Sequence, residues 1–153
     1  MKVFFALTLM LSLLAFGNQS HAASYGRAAE SLTIVTAGGQ THKFKVEQAL
    51  NPQEQAKGLM FRTHMDDDAG MLFVFKDVEE RGFWMRNTLI PLDIIFIKSD
   101  GTINHIHDSA KPKDETPIPS KGKVQYVLEI NGGTAKKLGI RPGDKVRHIF
   151  IGK

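Results

Sequence analysis

The sequence predicts a mainly β fold: a single compact domain, barrel-like or sandwich-like, with one or two short helices. From residue 31 onward, short apolar runs rich in Val, Ile and Phe alternate with Gly, Asn and Asp, a spacing typical of small barrels and sandwiches. Only two segments carry helix start and stop signals, and both are short. The chain has no cysteine, so we expect an apolar core to hold this domain, assigned to residues 31–153, without disulfide bonds.

The N-terminal segment, residues 1–22, has the features of a secretory signal peptide. Lys2 precedes a mostly apolar run, and Ser20 and Ala22 are small residues at the positions that a signal peptidase reads. The apolar run is too short to span a bilayer comfortably. We therefore expect cleavage after Ala22, a flexible linker over 23–30, and a periplasmic or secreted protein with no stable membrane span. An uncleaved membrane anchor is the alternative.

Local turn and capping signals divide the domain into its elements. Asn51, Pro52 and Glu54 mark a helix start, because they supply a capping side chain, a proline at the first helical position and a glutamate three residues after the cap. Gly58 ends this helix. An Asp-Gly pair at 100–101 between two apolar runs is a strong hairpin signal. The predicted strands are 32–36, 42–46, 70–75, 92–98, 102–107, 124–130 and 145–151, and the second helix is 134–138.

Two longer segments have an unusual composition. Residues 82–98 hold the only tryptophan and a near-continuous apolar run interrupted by Asp93, which predicts the central strand of the core with its polar residues partly buried. Residues 108–123 contain three prolines among charged residues, which predicts a long connection without regular structure. No aromatic residue interleaves the lysines of this basic run, and the formal net charge is only +4, so we expect no nucleic-acid partner.

Several short motifs occur along the domain: Gly58-Leu59-Met60 with Arg62, Gly70-Met71-Leu72-Phe73, Phe83-Trp84-Met85 with Asn87-Thr88, Pro91-Leu92-Asp93, Tyr126-Val127-Leu128-Glu129 and Gly143-Asp144. In this order they resemble a bacterial and archaeal family, domain of unknown function 192, over about residues 45–149. The resemblance implies a compact, mainly β domain that is often exported and has no established activity. Many relatives look to have an Arg in the short helix before Gly58, where this chain has Gln, Glu and Gln at 53–55. If that Arg pairs with a buried acid, the pairing is absent or replaced here.

Asp93 and Glu129 are the two carboxylates embedded in the most apolar predicted strands. One interpretation is a facing acid pair, able to share catalytic proton transfer or to bind a cation. The other is that Arg62, Arg86 or backbone amides satisfy each acid, which then holds the core in register. The sequence has no Cys nucleophile, Gly-x-Ser-x-Gly elbow, phosphate-binding loop or His-Glu-x-x-His motif, so it does not favour an enzyme.

The segment from Trp84 to Asn87 is a second candidate site. An aromatic platform beside hydrogen-bond donors suits a sugar or a carboxylate, whereas the alternative is a core Trp under a turn shaped by Asn87 and Pro91. We expect a partly exposed pocket, because a purely structural turn would not need Arg, Asn and Thr together. The expected ligand-binding residues are Arg62, Trp84, Met85, Asn87, Asp93 and Glu129.

Methionine and histidine side chains offer ligands for copper(I). His105 and His107 lie on one face of a predicted strand, but two ligands are too few for a metal site. The methionines form no tight Met-x-x-Met cluster and also suit core packing. We therefore expect no metal and no cofactor. The residues concerned are Met60, Met65, Met71, Met85, His64, His105 and His107.

Together these features predict an exported binding or accessory module of the cell envelope. Its pocket, near Trp84, Asn87 and Asp93, would take a small polar ligand or a segment of an envelope protein. The alternatives are a hydrolase acting on envelope carbohydrate through Asp93 and Glu129, and a weak copper(I)-binding protein.

Overall fold

A computed structural model describes residues 28–152. One sheet and two short helices account for its regular elements, which confirms the expected mainly β class. The strands are β1 (Glu30–Val35), β2 (Thr41–Ala49), β3 (Ala69–Phe83), β4 (Leu92–Ile97), β5 (Ile103–Ala110), β6 (Ile118–Asn131) and β7 (Lys145–Arg147), and the helices are α1 (Pro52–Lys57) and α2 (Thr134–Leu138). No helix within the described range is long and apolar enough to cross a membrane. The signal peptide expected over 1–22 and most of the linker expected over 23–30 lie outside the described residues.

The seven strands form a curled sheet in the order β5-β4-β6-β3-β2-β1-β7. Neighbouring strands are antiparallel except β2 and β3, which run parallel and are joined through α1, as parallel strands require a crossover connection. The two edges of the sheet meet at one end. Thr102, just before β5, bridges Lys145 of β7, and the Val146 amide donates a hydrogen bond to the Gly101 carbonyl at 2.8 Å. The predicted barrel-like shape is therefore a curled sheet whose edges are bonded at one end.

Each face of the sheet carries its own apolar core. Because side chains alternate along a strand, Ile95 and Ile97 of β4 enter the first core, whereas Ile94 and Phe96 enter the second. All six residues of β4 are buried, which explains why its sequence is almost continuously apolar. The first core includes Leu32, Ile34, Phe44, Leu72, Leu128 and Ile130; the second includes Leu59, Met71, Phe73, Met85, Ile118 and Val127.

The signals that predicted α1 also fix it in place. The Asn51 side chain accepts a hydrogen bond from the Glu54 amide at 2.9 Å, and the Glu54 carboxylate accepts one from the Leu50 amide at 2.7 Å, so two amides at the helix start are satisfied. The Gln55 side chain donates to the Val74 carbonyl of β3 at 2.9 Å. The helix is therefore held against β3, where it forms one side of a pocket.

The connection between β5 and β6 is much shorter than predicted. β3 continues to Phe83 and pairs with β6 from Ile118 onward, so only residues 111–117 lie between the two strands, not the predicted 108–123. Pro119 stands opposite Gly82, next to a shift in the strand register. A β-bulge accommodates a residue without an amide hydrogen, and for this reason Pro119 did not exclude a strand; the other two prolines of the segment lie in the connection.

The stretch 82–98 is not one central strand. Only Leu92–Ile97 forms β4, which lies second from the edge of the sheet, and residues 84–91 are a loop without regular structure. Asn87 adopts a left-handed backbone conformation, with φ of 54°, which breaks the extended run. The last strand is also shorter than expected, because β7 ends at Arg147.

Candidate functional site

A pocket of about 270 Å³ opens between α1, the end of β3 and the loop that precedes β4. Ligand sites for drug-sized molecules measure roughly 300–1,000 Å³, so this pocket suits a small molecule or a single side chain. We name it the Glu129 pocket. Its apolar lining consists of Ala56, Leu59, Met60, Phe73, Phe75, Phe83 and Trp84, with Gly58 and Gly82; its polar side chains are Gln55, Lys57, Thr88 and Glu129.

Glu129 is the acidic side chain that lines this pocket. Its residue surface is only 5% exposed, and within residues 28–152 its carboxyl forms neither a hydrogen bond nor an ion pair. Its cross-strand neighbours on β3 and β4 are Met71 and Ile94, both apolar. Burial raises the pKa of Glu129 to about 8, because no protein group replaces the lost hydration of the charged form. The carboxyl is therefore mostly protonated at neutral pH.

Asp93 does not face Glu129. In the β4–β6 register, Asp93 stands opposite Ile130 and Ile94 stands opposite Glu129, so the two acids project from opposite faces of the sheet. A two-carboxylate glycoside hydrolysis needs both groups on either side of one scissile bond. The structure therefore does not provide the facing acid pair on which the hydrolase alternative depended.

The Asp93 carboxylate instead organises the backbone. It is completely buried and accepts hydrogen bonds from the amides of Ser109 and Gly133, both at 2.8 Å, and of Ala135 at 2.7 Å. Burial raises the pKa of Asp93, and the three amide donors oppose that rise. Asp93 thus fastens β5 and the start of α2 to β4, as the backbone-amide interpretation expected.

The two arginines considered as partners for the buried acids pair elsewhere. Both terminal nitrogens of Arg62 contact the Glu47 carboxylate, at 2.5 and 2.6 Å, so Arg62 ties the loop after α1 to β2 and does not line the pocket. Arg86 pairs with Glu115 at 3.2 Å, and its guanidinium carbon lies 4.9 Å from the centroid of the Trp84 ring.

The segment from Trp84 to Asn87 divides between three environments. Trp84 lines the pocket and is 48% exposed, which agrees with the expected partly exposed platform. Met85 is completely buried in the second core. Asn87 is exposed, and its backbone carbonyl accepts a hydrogen bond from the Phe61 amide at 2.8 Å. Of the six residues expected to bind a ligand, the pocket therefore brings together only Trp84 and Glu129.

The remaining pocket residues were not among those expected to bind a ligand. Phe73 and Phe75 alternate along one face of β3, and Val127 and Glu129 along one face of β6. These patterns were visible, but only the antiparallel register of β3 with β6 brings them side by side. The Gln55 side chain lines the same pocket and donates to the Val74 carbonyl. Many relatives look to have an Arg in this helix, but α1 of this chain contains none, so α1 supplies no Arg to pair with Glu129.

The residues considered for copper(I) lie in different surroundings. Met65, Met71 and Met85 are buried in the second core, whereas His64 is exposed and contacts a surface aspartate at 3.3 Å. The His105 ring stacks on a phenylalanine, with 6.0 Å between centroids. In the described part of the chain, no group of three His, Asp or Glu side chains is arranged to hold a metal ion.

The exposure of Trp84 gives a stability prediction. Truncating a buried Trp or Phe to Ala costs about 3–5 kcal/mol. Because Trp84 is about half exposed, we expect Trp84→Ala to lower the free energy of unfolding by only about 1 kcal/mol. Met85→Ala, at the adjacent buried position, should cost about 2–5 kcal/mol. Urea denaturation of both variants tests this, and equal losses would show that the ring is part of the core.

Comparison with known proteins gives a family but no activity. The chain is similar to a candidate transcription regulator from Sinorhizobium meliloti 1021, with 47% identity and a TM-score of 0.78 over 80% of this chain and 95% of that one. It is also similar to a protein of unknown function from Novosphingobium aromaticivorans DSM 12444, with 48% identity and a TM-score of 0.79 over 84% and 90%. No curated protein matches it. The profile of domain of unknown function 192, described as "Uncharacterized ACR", matches residues 33–148. The chain therefore belongs to the domain of unknown function 192 family.

Proposed function

We propose that this protein is an exported binding module of the cell envelope, which holds a small ligand in the Glu129 pocket. The proposal rests on the carboxyl of Glu129, which has no partner within residues 28–152 and lies beside an aromatic wall formed by Phe75, Phe83 and Trp84. A buried carboxyl without a partner destabilises the fold, and such groups concentrate at functional sites. A ligand that supplies the missing partner would remove this cost on binding.

The chemistry of the pocket favours binding over catalysis. Besides Glu129, the side chains that line it and titrate are limited to Lys57, while Gln55 and Thr88 provide neutral polar groups. Asp93 lies on the other face of the sheet. Within the described residues, the pocket therefore presents no second acid and no base–nucleophile pair for a hydrolytic step.

The fluorescence of Trp84 can be used to detect a ligand in the pocket. Trp84 is the only tryptophan in the chain and lines the pocket, so its fluorescence should respond to a ligand bound there. We would screen sugars, carboxylates, amines and peptidoglycan fragments by thermal shift, because a ligand that binds the folded state raises the melting temperature. Each hit would then be titrated by Trp84 fluorescence, with Glu129→Gln as the pocket variant.

The control for that screen is Glu79→Gln, the same chemical change at an exposed position of β3 outside the pocket. A pocket ligand should change Trp84 fluorescence, bind differently to Glu129→Gln and bind unchanged to Glu79→Gln. If every stabilising ligand left the fluorescence unaltered and bound both variants equally, the Glu129 pocket would not be the binding site.

Export rests on residues 1–22 and has its own test. When the full chain is expressed and the cells are fractionated, we expect the periplasm or the medium to contain a product that begins at Ala23, identified by intact-mass spectrometry. Ala22→Arg should block cleavage, because a signal peptidase requires a small residue at that position. Recovery of the uncleaved wild-type chain in the cytosolic fraction would contradict export.

A further inference from the structure

We infer that the ligand of the Glu129 pocket is a primary amine carried on a small apolar body. This inference rests on the proposed function and specifies its ligand class. Within residues 28–152, Glu129 is the only acid that lines the pocket, and no group partners its carboxyl. An ammonium group supplies both hydrogen-bond donors and the opposite charge, and a charge-assisted bond of this kind is stronger than a neutral one.

The aromatic wall suits the rest of such a ligand. Phe75, Phe83 and Trp84 line the pocket, and aromatic side chains attract cations and pack against apolar groups. Two of these rings already have cations on them: the Arg81 guanidinium carbon lies 4.1 Å from the Phe75 centroid, and that of Arg86 lies 4.9 Å from the Trp84 centroid. The rings of Phe75 and Trp84 thus each contact a guanidinium group in this structure.

The other charged and polar groups of the pocket set the ligand's orientation. Lys57 lines the pocket from the exposed last turn of α1, where it disfavours a second positive charge on the ligand. Thr88 is buried and its hydroxyl donates to the Arg86 carbonyl at 3.3 Å, which leaves oxygen lone pairs to accept from an ammonium. A monoamine would therefore bind with its ammonium group at Glu129 and its apolar body along the aromatic wall.

Three probes that share a phenylethyl group but differ in charge separate the contribution of charge to binding from that of hydrophobicity. We would titrate the protein, expressed from the full chain, at pH 8 with phenethylamine, 2-phenylethanol and 3-phenylpropionate. Binding of each probe would be measured by Trp84 fluorescence and by calorimetry. We expect the amine to bind at least about tenfold more tightly than the alcohol, and the carboxylate to bind most weakly. In Glu129→Gln the amine should fall to the affinity of the alcohol, whereas Glu79→Gln should leave it unchanged.

Proton release from Glu129 on amine binding is a second readout, and a Glu129 with a purely structural role would not produce it. Below pH 8 the amine must displace the proton of Glu129, so its affinity should rise about tenfold per pH unit up to that point. Calorimetry at pH 6.5 in two buffers of different ionisation enthalpy should show about one proton released per amine bound. The neutral alcohol should release none.

The outcomes distinguish this inference from the proposed function. Equal binding of amine and alcohol, or tight amine binding retained by Glu129→Gln, would overturn the amine inference while the response of Trp84 still supported a ligand pocket. Binding of none of the three probes would also overturn the amine inference, and the wider ligand screen would then decide the proposed function.

Discussion

Replacing Glu129 by Gln will raise the free energy of unfolding by about 2–5 kcal/mol at pH 9 and will change it little at pH 5. Burial raises the pKa of Glu129 from 4.5 to about 8, and each unit of such a shift corresponds to about 1.4 kcal/mol. Local relaxation of the protein and entry of water reduce the free-energy cost of the buried charge below the value that the whole pKa shift implies, which gives the lower end of the range.

The pH dependence follows from where the carboxyl binds its proton. In the folded protein Glu129 stays neutral up to about pH 8, whereas in the unfolded chain it ionises above pH 4.5. Between these values the folded state binds more protons, so its stability falls as the pH rises through this window and levels off above it. Gln cannot ionise, so the variant should lack this contribution.

Urea denaturation of wild type and Glu129→Gln at pH 5, 7 and 9 measures the effect. The difference between the two proteins cancels the other titrating groups, and Glu79→Gln, an exposed acid on β3, controls for the loss of one negative charge. We expect the Glu129→Gln curve to diverge from the wild type with increasing pH. Parallel curves for wild type and Glu129→Gln would show that the carboxyl is not buried without a partner.

Removal of the Asp93 carboxylate is the second large effect. Asp93→Ala should lower the free energy of unfolding by about 3–6 kcal/mol, because one buried and two partly buried amides lose their charged acceptor and each unsatisfied group costs about 1–3 kcal/mol. Those amides belong to Ser109, Gly133 and Ala135. Asp93→Asn keeps one oxygen and should lose less, about 2 kcal/mol.

The matched control is Asp67→Ala, at an exposed position in the turn before β3, which should change stability by less than about 0.5 kcal/mol. Ligand titration adds a second criterion. Asp93→Asn, studied where it is still folded, should bind a pocket ligand like the wild type, because Asp93 projects from the other face of the sheet. A loss of less than 1 kcal/mol in Asp93→Ala would contradict the anchoring role.

Local signals in the sequence predicted much of the fold. The capping side chain of Asn51 and the glycine at Gly58 located α1, and the Asp-Gly pair at 100–101 located the β4–β5 hairpin. These features depend only on interactions between residues close together in the chain, so a short stretch of sequence is enough to predict them. The parallel pairing of β2 with β3 depends on non-local contacts, and no local signal indicated it.

The candidate site was also predictable only where it depends on local sequence, and not where it depends on strand pairing. Asp93 and Glu129 look equivalent in sequence, since each is a single acid in an apolar strand. Their roles differ because the β4–β6 register sends them to opposite faces, one toward three backbone amides and the other into a pocket. Trp84 was expected at a partly exposed site and lies there, whereas Arg62 was assigned to the site because its pairing with Glu47 on β2 was not visible.

Among the described residues Glu129 is a buried acid without a partner, and its protonation can be measured directly. The side-chain carboxyl carbon, assigned in ¹³C-labelled protein by its absence from Glu129→Gln, would be followed by NMR as the pH is raised. We expect a titration midpoint near 8 in the ligand-free protein. A midpoint near the ordinary value of 4.5 would mean that the carboxyl is hydrated or paired, and would contradict both the site and the ligand class proposed for it.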